Sequence, residues 1–231
     1  MYYHTDSDLF VQITRRAEFQ KEKRESYHKK LLSLAKLQDS AAEILQLLST
    51  LSTDDALATR DFFDIARTVL GRYLNAAILC CQVLYTDGAP IECLQAAMQA
   101  AERLMERMVE LLGAHEDYSL FHTLSRLETV SQVGAGFARV LKNNAACDYC
   151  RSYIYENAKY LYLPEMHCLF DEVNAAATEG REIDRTAIKR TATQIKASFL
   201  ESPLSKQEEA TRPLIDILAD AARDVAALQL C

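Results

Sequence analysis

The fold is decided by residues 54–86, which have the sequence DDALATRDFFDIARTVLGRYLNAAILCCQVLYT. Apolar residues recur every three or four positions here, which is the period of an amphipathic α-helix. The stripe consists of Phe62, Ile65, Ala66, Val69, Tyr73, Ala76, Ala77 and Cys80. Two carboxylates open the stretch and the turn signal Asp87-Gly88 follows it, as expected for the two ends of a helix. The stretch therefore predicts one long helix with a buried face.

The rest of the chain has the same character, because residues that interrupt helices are scarce. The 231 residues include only 6 Gly and 4 Pro. Sustained alternation of apolar and polar residues, which indicates a half-buried strand, is missing from the sequence. We therefore predict an all-α fold, an antiparallel bundle of about seven or eight helices in a single domain over residues 1–231.

Turn and capping residues divide this bundle. A long N-terminal helix is predicted over about 8–52, with a candidate break at Gln38–Ser40, and a helical body follows over about 54–231. Within the body, helices are expected to end near Gly113, Lys142, Tyr162, Gly180 and Leu200, and Gly134 with Gly136 forms a weak spot in the helix that ends near Lys142. Pro164 either kinks a helix or begins a new one, and Ser205 with Glu208 forms a capping box for the last helix.

The charge distribution argues against one class of partner. The net charge is -7, and residues 37–180 hold 10 Lys and Arg against 20 Asp and Glu. Such an acidic surface repels phosphate backbones, whose neutralisation supplies most of the affinity for nucleic acids. Nucleic-acid binding by the helical body is therefore not expected.

Hydropathy and cysteine usage indicate the compartment. The longest apolar run, residues 76–85, has about half the roughly 20 residues of a membrane-spanning helix and contains Gln82. Asp6 and Asp8 precede any apolar run, which is unlike a signal peptide. The sequence has 7 cysteines, which is an odd number, and they are scattered along the chain. The pattern therefore does not indicate a disulfide framework. We expect a cytoplasmic protein without a transmembrane segment.

The leading candidate for a binding surface is the tyrosine-rich stretch 145–162. On a helix, three of its tyrosines share one stripe and two share another, so one stripe is expected in the core and the other against a second body. A neighbouring helix, a partner protein or an extended ligand would fill that role. Tyr and Arg are also enriched at binding hot spots. The candidate binding residues are Tyr149, Arg151, Tyr153, Tyr155, Lys159, Tyr160 and Tyr162.

A pair of cysteines offers an alternative, enzymatic interpretation. Cys147 and Cys150 form a CxxC motif at a predicted helix N-terminus, where a thiol pKa is lowered and the nucleophilic thiolate is stabilised. Two thiols at this spacing also pack in helical cores. Adding His167 gives a zinc-like set, but the adjacent His167 and Cys168 point about 100° apart on a helix. We therefore expect no metal and no cofactor, with Cys147 and Cys150 as alternative catalytic residues and Cys147, Cys150 and His167 as an alternative metal set.

The N-terminal region is locally basic. From Arg15 to Lys30 the sequence holds seven Lys and Arg against three Glu. Such a surface suits either an anionic membrane or the acidic middle of a second copy. Its low apolar content argues against insertion into lipid.

The sequence thus predicts function mainly by exclusion. A phosphate-binding glycine loop, a nucleophile elbow and a complete set of metal ligands are all missing from it. We expect a non-enzymatic interaction or scaffold protein, or an accessory module, that acts through the tyrosine-rich helix 145–162 and the basic N-terminal helix. It is expected to bind a protein partner or to self-associate through the long N-terminal helix. The alternatives are a thiol-dependent redox enzyme and a peripheral binder of anionic membranes, and a small-molecule ligand stays unassigned.

Overall fold

A computed structural model describes residues 21–51, 55–130, 134, 136–147, 154–205 and 212–230. Within these ranges all regular structure is helical and no strand occurs, which confirms the all-α prediction. The helices are α1 Lys21–Ala35, α2 Gln38–Thr50, α3 Ala56–Asp87, α4 Ile91–Gly113, α5 Leu120–Val130, α6 Phe137–Cys147, α7 Tyr155–Asn157, α8 Leu163–Glu179, α9 Arg185–Glu201 and α10 Leu214–Ala226. A 3-10 turn, Glu116–Tyr118, precedes α5, and a π-helical turn, Ala158–Tyr162, joins α7 to α8.

Several of these helices begin or end at the capping residues that the sequence predicts. The Asp55 carboxylate accepts hydrogen bonds from the backbone N–H groups of Leu57 (2.8 Å) and Ala58 (3.2 Å), which starts α3. Gly88 ends α3 and Gly180 ends α8 with φ values of 66° and 63°, a backbone region that favours glycine. Asp184 caps α9 by accepting from the N–H of Ala187 at 2.9 Å.

The prediction of one long N-terminal helix is not confirmed. Over the described part of 8–52, the chain forms two helices, α1 and α2, separated by a turn at 36–37 close to the candidate break. At this turn the Tyr73 hydroxyl donates to the carbonyl of Leu34 at 3.0 Å, near the end of α1. The side chain of Gln38, at the start of α2, binds carbonyls of the C-terminal region. These tertiary contacts redirect the chain, whereas local periodicity alone favours continuation.

Two further boundaries differ from the prediction. The helix expected up to Lys142 is divided into α5 and α6, and the described Gly134 and Gly136 lie between them. Helix α6 then continues beyond Lys142 to Cys147. Of the predicted Ser205–Glu208 capping box, Glu208 lies outside the described residues.

The core is built around α3, the longest described helix. Its buried residues include Phe63, Leu70, Tyr73 and Leu74, and the main hydrophobic cluster joins them to residues of α2, α4 and α7 to α10. Helices α3 and α4 are joined by a short turn at 88–90, as in an antiparallel hairpin. No helix in the described ranges combines the length and apolar character needed to cross a bilayer.

Helices α2 and α10 form an extensively packed antiparallel pair. The side-chain amide of Gln38, at the start of α2, donates to the carbonyls of Val225 (2.9 Å), Ala226 (3.1 Å) and Leu228 (2.8 Å), at the end of α10. These carbonyls are among those that a helix C-terminus leaves without intrahelical donors. The start of α2 therefore caps the end of α10, which fixes the relative direction of the two helices.

Candidate functional site

The tyrosine-rich stretch divides between the core and the surface. Tyr155 and Tyr162 are only 4% and 3% exposed and belong to the main hydrophobic cluster, whereas Tyr160 is 41% exposed. The Lys159 ammonium donates to the Tyr155 hydroxyl at 2.9 Å and lies 5.4 Å from the centre of the Tyr160 ring. The buried positions of Tyr155 and Tyr162 do not fit the predicted role of surface contacts, because their rings are used in packing. Tyr149, Arg151 and Tyr153 lie outside the described residues.

The exposed Tyr160 lies on the π-helical turn. The N–H of Leu163 donates to the carbonyl of Ala158, five residues earlier. In an α-helix the acceptor would be the carbonyl four residues earlier. Pro164 follows directly, and its ring nitrogen has no hydrogen to donate. The wider turn thus brings the chain into α8 at a proline without ending the helix. Single π-turns of this kind occur frequently at functional sites.

A groove opens beside this turn, between the π-turn, α6 and α9. Its volume is about 640 Å³, which is within the range of small-molecule sites. Apolar and aromatic side chains form its walls: Tyr160, Pro164, Ile195, Phe199, Pro203 and Leu204. Uncharged polar residues add hydroxyl and amide groups: Thr191, Gln194, Ser198, Ser202 and Ser205. We call this the α9 groove.

The buried ammonium of Lys142 forms part of the lining of the α9 groove. Lys142 is 1% exposed, and its Nζ donates to the Phe199 carbonyl (2.6 Å), to the Ser202 hydroxyl (3.1 Å) and to the Ser202 carbonyl. Three acceptors match the three protons of the ammonium. Lys142 therefore caps the C-terminus of α9, where the helix dipole favours a cation. Burial lowers the pKa of Lys142, and the nearby Glu156 carboxylate opposes this shift.

The second buried charge of the α9 groove is Glu156, which is 2% exposed. Its carboxylate accepts hydrogen bonds from the hydroxyl of Ser119 (2.7 Å) and from the backbone N–H groups of Leu120 (2.8 Å) and Phe121 (3.0 Å). These two N–H groups belong to the first turn of α5, where a negative charge is favoured by the helix dipole. Glu156 thus holds the start of α5 against α7.

Among the described residues that line the α9 groove, both charged side chains therefore already bind groups of the protein itself. Lys142 stabilises the end of one helix and Glu156 the start of another. A ligand in the groove meets mainly apolar surface and neutral hydrogen-bonding groups. Neither residue was predictable from the sequence, because neither lies in a recognisable motif and their partners are distant in sequence.

The cysteine motif is only partly described. Cys147 is the last residue of α6, so its backbone lies at the C-terminal end of a described helix and not in a first turn. Cys150 lies outside the described residues. His167 is exposed, and its Nε2 lies 4.0 Å from Oε1 of Glu102. In the part of the chain that the structure describes, no three His, Cys, Asp or Glu side chains are placed to hold a metal ion.

A second surface feature lies on α2. Ala41, Leu45 and Leu48 face the core. A further stripe of large apolar side chains is exposed: Leu37 (54%), Ile44 (41%), Leu47 (60%) and Leu51 (43%). Ile44 and Leu47 lie within α2, and Leu37 and Leu51 are the residues that flank its two ends. At 100° per residue the four positions lie within about 80° of one another, so they follow one side of the helix. We call them the α2 stripe.

The width of the apolar face in the sequence indicates the α2 stripe. Between Leu37 and Leu51 the apolar residues occupy about two thirds of the helix circumference, which is wider than the roughly 100° that a surface helix buries. Periodicity identifies an apolar helix but does not show how much of it the fold covers. Contiguous apolar surface of this kind is typical of interaction sites.

The sequence matches no protein-family model, and it shows no significant match to any of the curated proteins.

Proposed function

We propose that the protein is a non-enzymatic helical interaction protein that pairs with a second copy of itself through the α2 stripe. The observation that carries the proposal is the exposure of four large apolar side chains on one side of a helix whose other side is already packed in the core. Removing such surface from water contributes about 25 cal/mol per Å². Pairing is therefore favoured without any change in the fold of either copy.

The spacing of the α2 stripe supports a symmetric arrangement. Leu37 and Leu51 lie seven residues before and after Ile44, and Leu47 lies beside it on the same face. A two-fold axis next to Ile44 would pair two antiparallel α2 helices, with each Ile44 against the other and each Leu37 against the Leu51 of the second copy. Such self-complementary contacts are the usual form of homodimer interfaces. The seven-residue spacing is also that of a helix–helix seam.

A further large apolar side chain, Ile215, is exposed on the helix paired with α2. It is 51% exposed and lies in the first turn of α10, which is antiparallel to α2. Ile215 therefore lies at the end of the pair where Leu51 lies.

Sedimentation velocity across a dilution series tests the proposal. The wild-type chain is expected to shift from monomer to dimer as its concentration rises. The double substitution Ile44→Glu and Leu47→Glu places two carboxylates in the seam, and it is expected to weaken the dimer at least about tenfold. Gln46→Glu adds a carboxylate to the exposed polar side of α2 and is the matched control, with dimerisation expected to be unchanged.

Two results would contradict self-pairing. One is a wild-type chain that stays monomeric at every concentration; the other is a folded double variant that dimerises as well as the wild type. Circular dichroism and thermal unfolding of each variant show whether its fold is intact. If the stripe instead binds a different protein, the first result would be obtained.

A further inference from the structure

We propose that the α9 groove binds an uncharged, mainly apolar small molecule. This site is separate from the α2 stripe, and its residues take no part in the proposed dimer. The proposal combines the apolar walls of the groove with the fact that both of its charged groups are already paired within the fold.

The walls favour a ligand with an aromatic or aliphatic body. Phe199 and Ile195 on α9 lie on one side, and Tyr160 and Pro164 near the π-turn lie on the other. Tyr160 is half-exposed, so its ring can contact both the ligand and solvent. A cavity of about 640 Å³ accommodates a molecule of two or three fused or linked rings.

The charges of the groove favour a neutral ligand. Among the described residues that line the groove, Lys142 and Glu156 are the two with a basic or acidic side chain, and they are opposite in sign. Each lies at the helix terminus whose dipole suits it, and each already has three hydrogen-bond partners. A charged ligand would have to displace these partners or remain without a counter-charge in a largely apolar site, and both outcomes cost free energy.

The remaining polar groups give the ligand a preferred orientation. Thr191, Gln194 and Ser198 follow one another at intervals of three and four residues along α9, and all three line the groove. Residues at these intervals share one side of a helix. The Thr191 side chain is already hydrogen-bonded to Cys168. Gln194 and Ser198 offer an amide and a hydroxyl along one edge of the cavity, which suits a molecule with one or two neutral hydrogen-bonding atoms.

Two fluorescent probes that share one ring skeleton test this inference. N-phenylnaphthylamine is neutral, whereas anilinonaphthalene sulfonate carries an anionic group. Binding of each probe to the wild-type chain is measured by fluorescence titration. We expect the neutral probe to bind at least about tenfold more tightly than the anionic probe.

Matched substitutions on α9 locate the binding site. Ser198 is exposed and lines the groove, so Ser198→Trp fills the cavity with little effect on the core and is expected to weaken the neutral probe at least about tenfold. The neighbouring Ala197 is also exposed but is not part of the lining. Ala197→Trp is therefore expected to leave binding unchanged.

Equal binding of the two probes would contradict the charge argument and overturn the proposal. If the Ser198→Trp variant has wild-type thermal stability and still binds the neutral probe as tightly as the wild type, the probe binds elsewhere. This result would also overturn the groove proposal. Because sedimentation reports on the α2 stripe independently, failure of the groove proposal leaves the dimer proposal standing, and the reverse also holds.

Discussion

The carboxylate of Glu156 accepts a hydrogen bond from the backbone N–H of Leu120 at 2.8 Å, across 36 residues of sequence. A side chain of the segment that leads into the π-turn thereby caps a helix that lies earlier in the chain. Since Glu156 is buried together with its donors, the cap cannot be replaced by water. The position of α5 consequently depends on the same segment that forms one side of the α9 groove.

Glu156→Ala is expected to destabilise the protein by about 3 kcal/mol, because three donors and the nearby Lys142 lose a buried partner. Ser119→Ala removes only one of the donors and is expected to cost about 1 kcal/mol. Urea unfolding followed by circular dichroism measures both changes. Equal costs for the two substitutions would show that the carboxylate does not act as a shared cap.

The division of the tyrosines between core and surface predicts unequal costs of truncation. Tyr155→Ala and Tyr162→Ala are each expected to destabilise the protein by about 3–5 kcal/mol, since large buried rings leave cavities. Tyr160→Ala is expected to cost less than about 1 kcal/mol, because that ring is exposed. Thermal unfolding of the three variants under one set of conditions measures the difference. A costly Tyr160→Ala would contradict its surface position.

Acid is expected to destabilise the fold through carboxylates paired with arginine. Hydrogen bonds from arginine hold the pKa of Asp220, Asp117 and Glu172 below their ordinary values; the donors are Arg212, Arg126 and Arg181, respectively. Their stabilisation is fully present above the unfolded-state pKa of about 4 and is lost as the pH falls through the lower folded-state pKa. Burial raises the pKa of Glu102, so this group acts in the opposite direction.

The free energy of unfolding, measured in urea at a series of pH values, is therefore expected to decrease as the pH falls below about 4. Asp220→Asn removes one contributor and is expected to flatten this dependence. Asp61→Asn, which changes an exposed carboxylate on α3, serves as the comparison. An identical pH dependence for Asp220→Asn and the wild type would show that the Asp220 pair does not contribute.

The described cysteines are expected to differ strongly in reactivity. Cys93 is exposed, whereas Cys80 and Cys81 are buried at 1% and 0% exposure. Alkylation by iodoacetamide, followed by peptide mass spectrometry, is expected to label Cys93 rapidly and Cys80 and Cys81 only when the protein unfolds. Burial also raises the pKa of the Cys168 thiol, so slow labelling is expected there.

The same labelling experiment tests the thiol-redox alternative. An activated thiolate reacts near neutral pH, so Cys147 or Cys150 would have to be labelled faster than Cys93. Labelling of both at the Cys93 rate or more slowly would remove the basis of that alternative. Cys93→Ser provides a control in which the fast phase is absent.

The features that were predictable from the sequence depend on local chemistry. Asp55, Gly88, Gly180 and Asp184 act on backbone within a few residues of themselves, so the helix ends that they set follow from sequence. The division of the N-terminal helix is different, because Gln38 reaches carbonyls 187 to 190 residues away. Local periodicity carries no information about such contacts.

The α9 groove was even less predictable from the sequence. Tyr160 was identified from sequence because aromatic spacing on a helix is a local pattern. The burial of Lys142 was not predictable from the sequence, since a lone lysine normally lies at the surface and its acceptor carbonyl on Phe199 is 57 residues away. Pro164 indicated a disturbance of the helix, but its sequence position alone does not distinguish a kink, a helix start and a π-turn.

The pairing of α2 with α10 affects how the protein acquires its fold. Because Gln38 and Val225 are 187 residues apart, a nascent chain cannot close this part of its core until translation has passed α10. Until then both the core-facing side of α2 and the α2 stripe are exposed to solvent, and both bind other incompletely folded chains. Cotranslational assembly on polysomes would thus compete with correct docking, and a chaperone that shields α2 during synthesis would raise the yield.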